Sequence, residues 1–171
     1  MSPFRVEALS DAHDRSMFQC GEEALDRYFK SQVTQDVRRR VATCFVAIER
    51  SSGAIAGYYT LSASSIPLVD LPAEHIKRLP RYPAVPAVCI GRLAVDQRFQ
   101  KRGLGEGLLI DITLRIIGTE IGVALLVVDA KDARAADFYA RYQFRAVKSS
   151  GRTMFLPMAT AVNLFASHDL H

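Results

Sequence analysis

The period of apolar and polar positions changes along the chain, and each change predicts an element. Phe4 to Leu9, "FRVEAL", reads as an opening strand. In "CGEEALDRYFKSQVTQDVRRRV" the residues Leu25, Tyr28, Phe29 and Val33 recur at i, i+3, i+4 and i+8, which lines one face of a helix. Glu22, Glu23 and Asp26 stand near the start of that stretch and Arg38 to Arg40 near its end, the order that a helix dipole favours. One or two amphipathic helices are expected there. "ATCFVAIER" and "AIAGYYTLSAS" are rich in aromatic and β-branched residues and are separated by "SSG", the pattern of a hairpin with a short glycine turn. Pro67, Pro72, Pro80, Pro83 and Pro86 then crowd one interval, which predicts a loop with at most a short helix around Ala73 to Leu79. A loop of that length in a compact domain is usually functional or mobile.

"AVCIGRLAVD" resumes as a strand. From Gly105 onward Leu108, Leu109, Ile112 and Ile116 repeat at helical spacing, and Gly118 provides a stop. "ALLVVDA" has the continuous apolar run of a strand buried on both faces, "DARAADFYARY" is helical, and "FRAVKS" and "TMFLPM" form a final strand pair. The order predicts a mixed α/β fold whose β-α-β stretch makes the sheet partly parallel, with about six to seven strands and about four flanking helices.

Composition narrows the class. A chain of 171 residues fits a single domain, 1–171, and 49% hydrophobic residues against 23% charged ones indicate a folded globule. Cys20, Cys44 and Cys89 form no CxxC pair, and His13, His75, His168 and His171 have no ligand spacing, so neither metal nor disulfide is expected. The N-terminus, "MSPFRVEALSDAHDR", carries charges where a signal peptide needs an apolar run, and the densest apolar run, "VALLVV", is far short of a membrane span. A reducing cytoplasm and no membrane partner are the expectation. The net charge of +4 is modest, so its distribution matters more than its sum.

The segment "QRFQKRGLGEGLL" carries the most chemistry. A helix start exposes unpaired N–H groups and the positive end of the dipole, and glycine lets a bulky anion approach the backbone. Gly103, Gly105 and Gly107, with Arg98, Lys101 and Arg102 around them, therefore suit a diphosphate. No GKS or GKT follows, which argues against a Mg-nucleotide loop, and GxGxG fits a dinucleotide fingerprint poorly. A plain tight turn from strand to helix is the alternative.

"RLAVDQRFQKRGLGEGLL" closely resembles the acyl-CoA-binding motif of the GNAT acetyltransferase superfamily, Q/R-x-x-G-x-G/A after a strand, with Gln100, Gly103 and Gly105 at its three fixed positions. The resemblance implies a GNAT-like sheet and acetyl-CoA as co-substrate. It also implies that Leu93, Ala94 and Val95 contact the pantetheine arm and the thioester. Arg98, Gln100, Lys101, Arg102, Gly103, Leu104, Gly105 and Glu106 would then form the pyrophosphate cradle. "DARAADFYARYQF" resembles the family's N-x-x-A-x-x-x-Y-x-x-x-G-F segment: Ala135, Tyr139 and Phe144 fit, while Asp132 replaces the usual asparagine and Gln143 the usual glycine. Asp132 and Ala135 become cofactor-contact candidates by the same resemblance.

Acetyl transfer to an amine needs an unprotonated nucleophile, a polarised carbonyl and a proton for the leaving thiolate. The resemblance gives the last role to Tyr139, since a phenol with a pKa near ~10 stays protonated at neutral pH. Packing on the sheet is the alternative for Tyr139, and Tyr142 is the competing phenol. Glu49, Glu74 and Glu120 give no evident base, which favours an α-amine acceptor, titrating near ~8, over lysine near ~10.4.

From about Phe18 to about Met158 the chain looks like the GNAT toxins of bacterial toxin-antitoxin modules. That likeness implies acetylation of the α-amine on aminoacyl-tRNA, inhibition of translation, a ribbon-helix-helix antitoxin as partner, and a homodimer as one assembly. Lys30, Arg38, Arg39, Arg40, Arg78, Arg81 and Arg92 are the candidate tRNA contacts, as convergent cations would hold a polyphosphate. Two other readings stay open: an enzyme for a small amine or a protein N-terminus, and a CoA-binding or antitoxin-binding protein without catalysis.

Overall fold

The computed structural model describes residues 1–79 and 81–166, so that Pro80, His168 and His171 lie outside it. The strands are β1 (Phe4–Ala8), β2 (Thr43–Glu49), β3 (Ile55–Pro67), β4 (Ala84–Val95), β5 (Leu125–Asp129), β6 (Arg145–Val147) and β7 (Ser150–Pro157). The helices are α1 (Glu23–Ser31), α2 (Val33–Arg38), α3 (Ala73–Ile76), α4 (Leu104–Ile117), α5 (Ala133–Arg141) and α6 (Met158–Phe165). One seven-stranded sheet in the order β1-β2-β3-β4-β5-β7-β6 carries the fold, and the chain divides into two compact units, Met1–Ser62 with Gly91–Ile112 and Ala63–Ile90 with Thr113–His171.

In the first unit β1, β2 and β3 are antiparallel neighbours, and the β2–β3 turn closes where the Gly53 N–H donates to the Glu49 carbonyl at 2.8 Å. Gly53 has φ +75, a value the "SSG" signal supplies without strain. The apolar stripe of α1 meets the inner face of this meander. Phe29 stacks on Tyr58 with ring centroids 4.2 Å apart, Phe18 packs edge-on to both, and Val33, Val46 and Ile48 complete the cluster. Phe29 and Tyr58 are both fully buried. At roughly 1.5–3 kcal/mol for each such side chain, this cluster holds the helices on the sheet.

In the second unit β5 runs parallel to β4, with Ala87 opposite Leu125 and Ile90 opposite Val128, and antiparallel to β7. Leu125 to Val128 are buried on both faces, as the unbroken apolar run predicts. The proline interval is shorter as a loop than its sequence suggests. β3 continues to Pro67 and β4 already includes Pro86, leaving a 3-10 turn at Leu68–Asp70 and the single turn α3 between them. Proline keeps its acceptor, and the Pro86 carbonyl takes the Ala124 N–H at 3.0 Å, so its missing donor spares that link to the start of β5. Helix α6 has no counterpart in the sequence reading, although Ala161 and Phe165, four residues apart and buried, mark its inner face.

Candidate active site

The glycine segment lies in the first unit, where β4 runs into α4. Asp96 directly follows the strand and organises the turn into the helix. It is 1% exposed. Its carboxylate accepts the N–H groups of Gln19 and Arg98, both at 2.9 Å, and the Arg98 guanidinium at 2.9 and 3.2 Å. Burial pushes the Asp96 pKa up, but the Arg98 side chain and the two N–H donors outweigh burial and hold it below the ordinary carboxylate value. Gln100 makes a second clamp: its side-chain amide donates to the Cys20 carbonyl at 2.8 Å and the Val95 carbonyl at 2.9 Å. Together these bonds fasten the turn to the N-terminal segment and to the end of β4.

Of the residues expected in the pyrophosphate cradle, Arg98 pairs with Asp96 and Gln100 donates to two main-chain carbonyls. They shape the loop. Lys101 and Arg102 are exposed, with the Arg102 guanidinium 5.5 Å from the centre of the buried Phe99 ring. Lys101 and Gly103 both have left-handed backbones, φ +63 and +79. The first rung of α4 is the Gly107 N–H donating to the Gly103 carbonyl at 3.0 Å, so the N–H groups of Leu104, Gly105 and Glu106 precede the helical ladder. A Cβ built on Gly103 would meet no atom within 4 Å. Three first-turn donors, open space before the glycine and two exposed cations fit a diphosphate. Upstream, Ala94 is buried while Leu93 and Val95 are partly exposed, and the Asp96 N–H returns to Ala56 at 2.8 Å.

The second motif lies in the other unit. Asp132 caps α5, its carboxylate accepting the Ala135 N–H at 2.8 Å. Asp132 and Ala135, expected as cofactor contacts, therefore use these groups on each other. At the other end Gln143 has φ +70, where the family pattern has glycine, and the Phe144 N–H closes the helix on the Tyr139 carbonyl at 3.2 Å. Tyr139 is 5% exposed and rests edge-on to Phe138 and Phe144. Burial, with a smaller contribution from Cys89, raises its pKa above the ordinary phenol value, which keeps it protonated at neutral pH and makes it a weaker acid. The hydroxyls of Tyr28, Tyr58 and Tyr59 are engaged by Asp36, Leu25 and Asp111. Tyr82 is exposed, and Tyr142 is partly buried against Phe138 and Phe165.

Other polar candidates fall into place. Glu49 accepts the Ser52 hydroxyl, and Glu74 pairs with Arg145 at 2.7 Å. Burial pushes the Cys44 thiol up to about 12, so it is inert at neutral pH. Lys30 and Arg38 are exposed on α1 and α2, Arg39 and Arg40 are exposed just after α2, and Arg78 and Arg81 are exposed between α3 and β4. Arg92 is partly buried over the ring of Tyr28. Among the described residues no cluster of His, Cys, Asp or Glu could hold a metal ion, and no helix is long and apolar enough to cross a membrane. Asp96 and Tyr28 had been given no role in the site by the sequence. Aspartate directly before the motif signals the first, and nothing local signals the second.

A mixed sheet with a parallel β4–β5 pair, in which β4 delivers a glycine-bearing helix start, defines an acetyl-CoA-dependent N-acetyltransferase once joined to the family match and the relatives that follow. Residues 17–160 match the Acetyltransferase (GNAT) domain, and the chain belongs to that family. It is 31% identical over 169 residues to a probable toxin TacT of Sinorhizobium fredii (strain NBRC 101917 / NGR234), covering 93% of each chain. It is 33% identical over 138 residues to a tRNA-acetylating toxin of Mycobacterium tuberculosis (strain ATCC 25618 / H37Rv), covering 80% of this chain and 81% of the relative. Among solved structures, a tyrosine-to-phenylalanine mutant of KacT superposes with a TM-score of 0.87 at 29% identity, over 96% of this chain and 100% of that one. AtaT complexed with acetyl-methionyl-tRNAfMet gives 0.85 at 27%, over 95% and 99%. AtaTR bound with acetyl-CoA gives 0.80 at 27%, over 96% and 99%.

Proposed function

We propose that this enzyme acetylates the α-amine of the amino acid on charged tRNA and so acts as a translation-blocking toxin in the cytoplasm, within one acetyltransferase domain and under the control of a ribbon-helix-helix antitoxin. The observation that carries this reading is the similarity, over four-fifths or more of both chains, to a tRNA-acetylating toxin, joined to the fold shared with AtaT in complex with acetylated tRNA.

Acetyl-CoA supplies an activated acetyl group as a thioester. The N–H groups of Leu104, Gly105 and Glu106, with Lys101 and Arg102, hold its pyrophosphate, and Arg98 and Gln100 shape that cradle. Main-chain groups of Leu93, Ala94 and Val95 align the acyl arm and polarise its carbonyl. Tyr139 passes a proton to the departing sulfur. Because burial makes its phenol a weak acid, that proton must be replaced from the attacking amine, which loses one as its N–C bond forms and the C–S bond breaks. Asp132 and Ala135 fix the start of the helix that carries Tyr139. Lys30, Arg38, Arg39, Arg40, Arg78, Arg81 and Arg92 supply cations for the RNA backbone.

The test incubates the protein with labelled acetyl-CoA and a pool of charged tRNA, beside uncharged tRNA, free amino acids and polyamines. Label on charged tRNA that is released by mild ester hydrolysis is the expected result. Label confined to a small amine would overturn the substrate, and no label on any acceptor would overturn the catalytic reading.

A further inference from the structure

Arg92 is held differently from Arg15, Arg98 and Arg145. Arg15 donates to the Phe29 carbonyl, Arg98 to Asp96, and in the other unit Arg145 pairs with Glu74. The Arg92 guanidinium makes no hydrogen bond or ion pair among the described residues, yet it is fixed in place: its central carbon lies 3.5 Å from the centroid of the Tyr28 ring.

Both ends of that contact are braced. Tyr28 is 7% exposed, and its hydroxyl donates to Asp36 at 2.7 Å. Burial and then the Asp36 bond raise its pKa, so the ring stays a neutral phenol with an electron-rich face. On the strand side, the Arg92 N–H donates to the buried Thr60 hydroxyl at 3.0 Å. That approach depends on the neighbouring glycine, because a Cβ at Gly91 would lie 2.8 Å from the Thr60 oxygen. Arg92 also stands next to Leu93, the first of the strand residues assigned to the acyl arm.

A guanidinium stacked on an aromatic ring uses its face, while its five N–H donors point outward in the plane. Such a group, partly buried and prepositioned, matches two oxygens of a phosphate or a carboxylate. The amino acid on charged tRNA is esterified and has no free carboxylate, whereas the RNA 3′ end has phosphates. Resting on the charged-tRNA reading above, we propose that Arg92 is the receptor for a backbone phosphate at the 3′ end of the acceptor RNA, with Tyr28 as the positioning residue that holds it ready.

The experiment measures initial rates for the wild type and for Arg92→Gln, Arg92→Lys, Tyr28→Phe and Tyr28→Leu. Two acceptors are compared, charged tRNA and the methyl ester of the same amino acid, which has the amine and no phosphate. Arg92→Gln should lower the ratio of kcat/KM for charged tRNA to kcat/KM for the ester by ~10- to 100-fold, chiefly through KM for the RNA. It should also flatten the dependence of log KM on log salt by about 0.7 to 0.9, the value of one phosphate. Arg92→Lys should fall between Arg92→Gln and wild type, keeping charge without the fork. Tyr28→Leu should lower the ratio by roughly 3- to 30-fold, while Tyr28→Phe, which keeps the ring, should restore it.

Equal loss on both acceptors, or an unchanged salt slope in Arg92→Gln, would overturn the assignment while leaving the charged-tRNA reading intact. Absence of charged-tRNA acetylation by the wild type would instead overturn that reading, and the RNA-phosphate receptor with it. Loss of the ratio in Tyr28→Phe equal to that in Tyr28→Leu would remove Tyr28 from the positioning role.

Discussion

Replacing Asp96 should cost both stability and acetyl-CoA affinity, by amounts that the hydrogen bonds themselves set. The carboxylate is 2% exposed and accepts from two main-chain N–H groups and from Arg98. Bonds to a charged acceptor contribute about 1.5–3 kcal/mol each, and each N–H of Gln19 and Arg98 would lose one. The Arg98 side chain is 51% exposed, so water recovers most of its loss, and that ion pair contributes under ~1 kcal/mol. Asp96→Ala should therefore destabilise by about 3–6 kcal/mol. Asp96→Asn should cost about 2 kcal/mol, because its carbonyl still accepts one N–H while its amide turns a donor toward the other.

The pH dependence is set by the direction of the shift. The folded pKa is depressed, so the stabilisation is complete above the ordinary carboxylate pKa, near ~3.9, and is lost as pH falls through the folded value. In urea titrations the gap between wild type and Asp96→Ala should be the same at pH 7 and pH 5 and should narrow below about pH 4. A deficit under ~1 kcal/mol at pH 7, or one as large at about pH 3.5 as at pH 7, would refute the reasoning. Binding provides an independent check. The turn released by Asp96→Ala begins the cradle, so acetyl-CoA KM should rise well before the protein unfolds. An unchanged KM would detach Asp96 from the cofactor site.

Three further outcomes are expected. Tyr139→Phe should keep acetyl-CoA affinity and lower turnover by ~10²-fold, read as kcat under saturating substrates; unchanged kcat would move the donor role to another phenol, with Tyr142 the first to test. Gly103→Val forces a β-branched residue to φ +79 and fills the open space before the helix start, so acetyl-CoA KM should rise and stability fall by ~1–2 kcal/mol; retained affinity would detach the pyrophosphate from this loop. Gln143→Gly should raise stability by ~0.5–1 kcal/mol in urea titration, because it relieves the left-handed φ of +70; a loss would mean that the Gln143 side chain contributes more than its backbone costs.

The fold was legible wherever one physical signal dominated. Leu25, Tyr28, Phe29 and Val33 announced the α1–α2 stretch, and the run Leu125–Val128 announced a doubly covered strand, because burial sets those periods directly. Prolines misled in the β3–β4 interval. A strand residue whose acceptor alone is used tolerates proline, and which group is used depends on a neighbour far along the chain, as Pro86 and Ala124 show.

The candidate site divides along the same line. Gly103 was readable as a position where a bulky anion can approach the backbone, since the glycines, the cations and the helix start stand together in one short segment. The duties of Arg98, Gln100 and Asp132 were not. Each carries a group that could face a ligand; Asp132 turns instead to the nearby Ala135 N–H, while Arg98 and Gln100 are also tied to distant segments, Gln19 sharing Asp96 with Arg98 from 77 positions away and Cys20 receiving the Gln100 amide from 80 positions away. Arg92 inverts that lesson. By sequence it was one cation among seven candidates; in the fold its charge is unspent and its position fixed, because Tyr28 and Thr60, from α1 and β3, brace it without consuming its donors. A polar side chain fastened through its backbone and its face, with its hydrogen-bonding edge left over, bears an ordering cost that a ligand then need not meet, and that preorganisation makes Arg92 a stronger phosphate candidate than the exposed Arg38, Arg39 and Arg40.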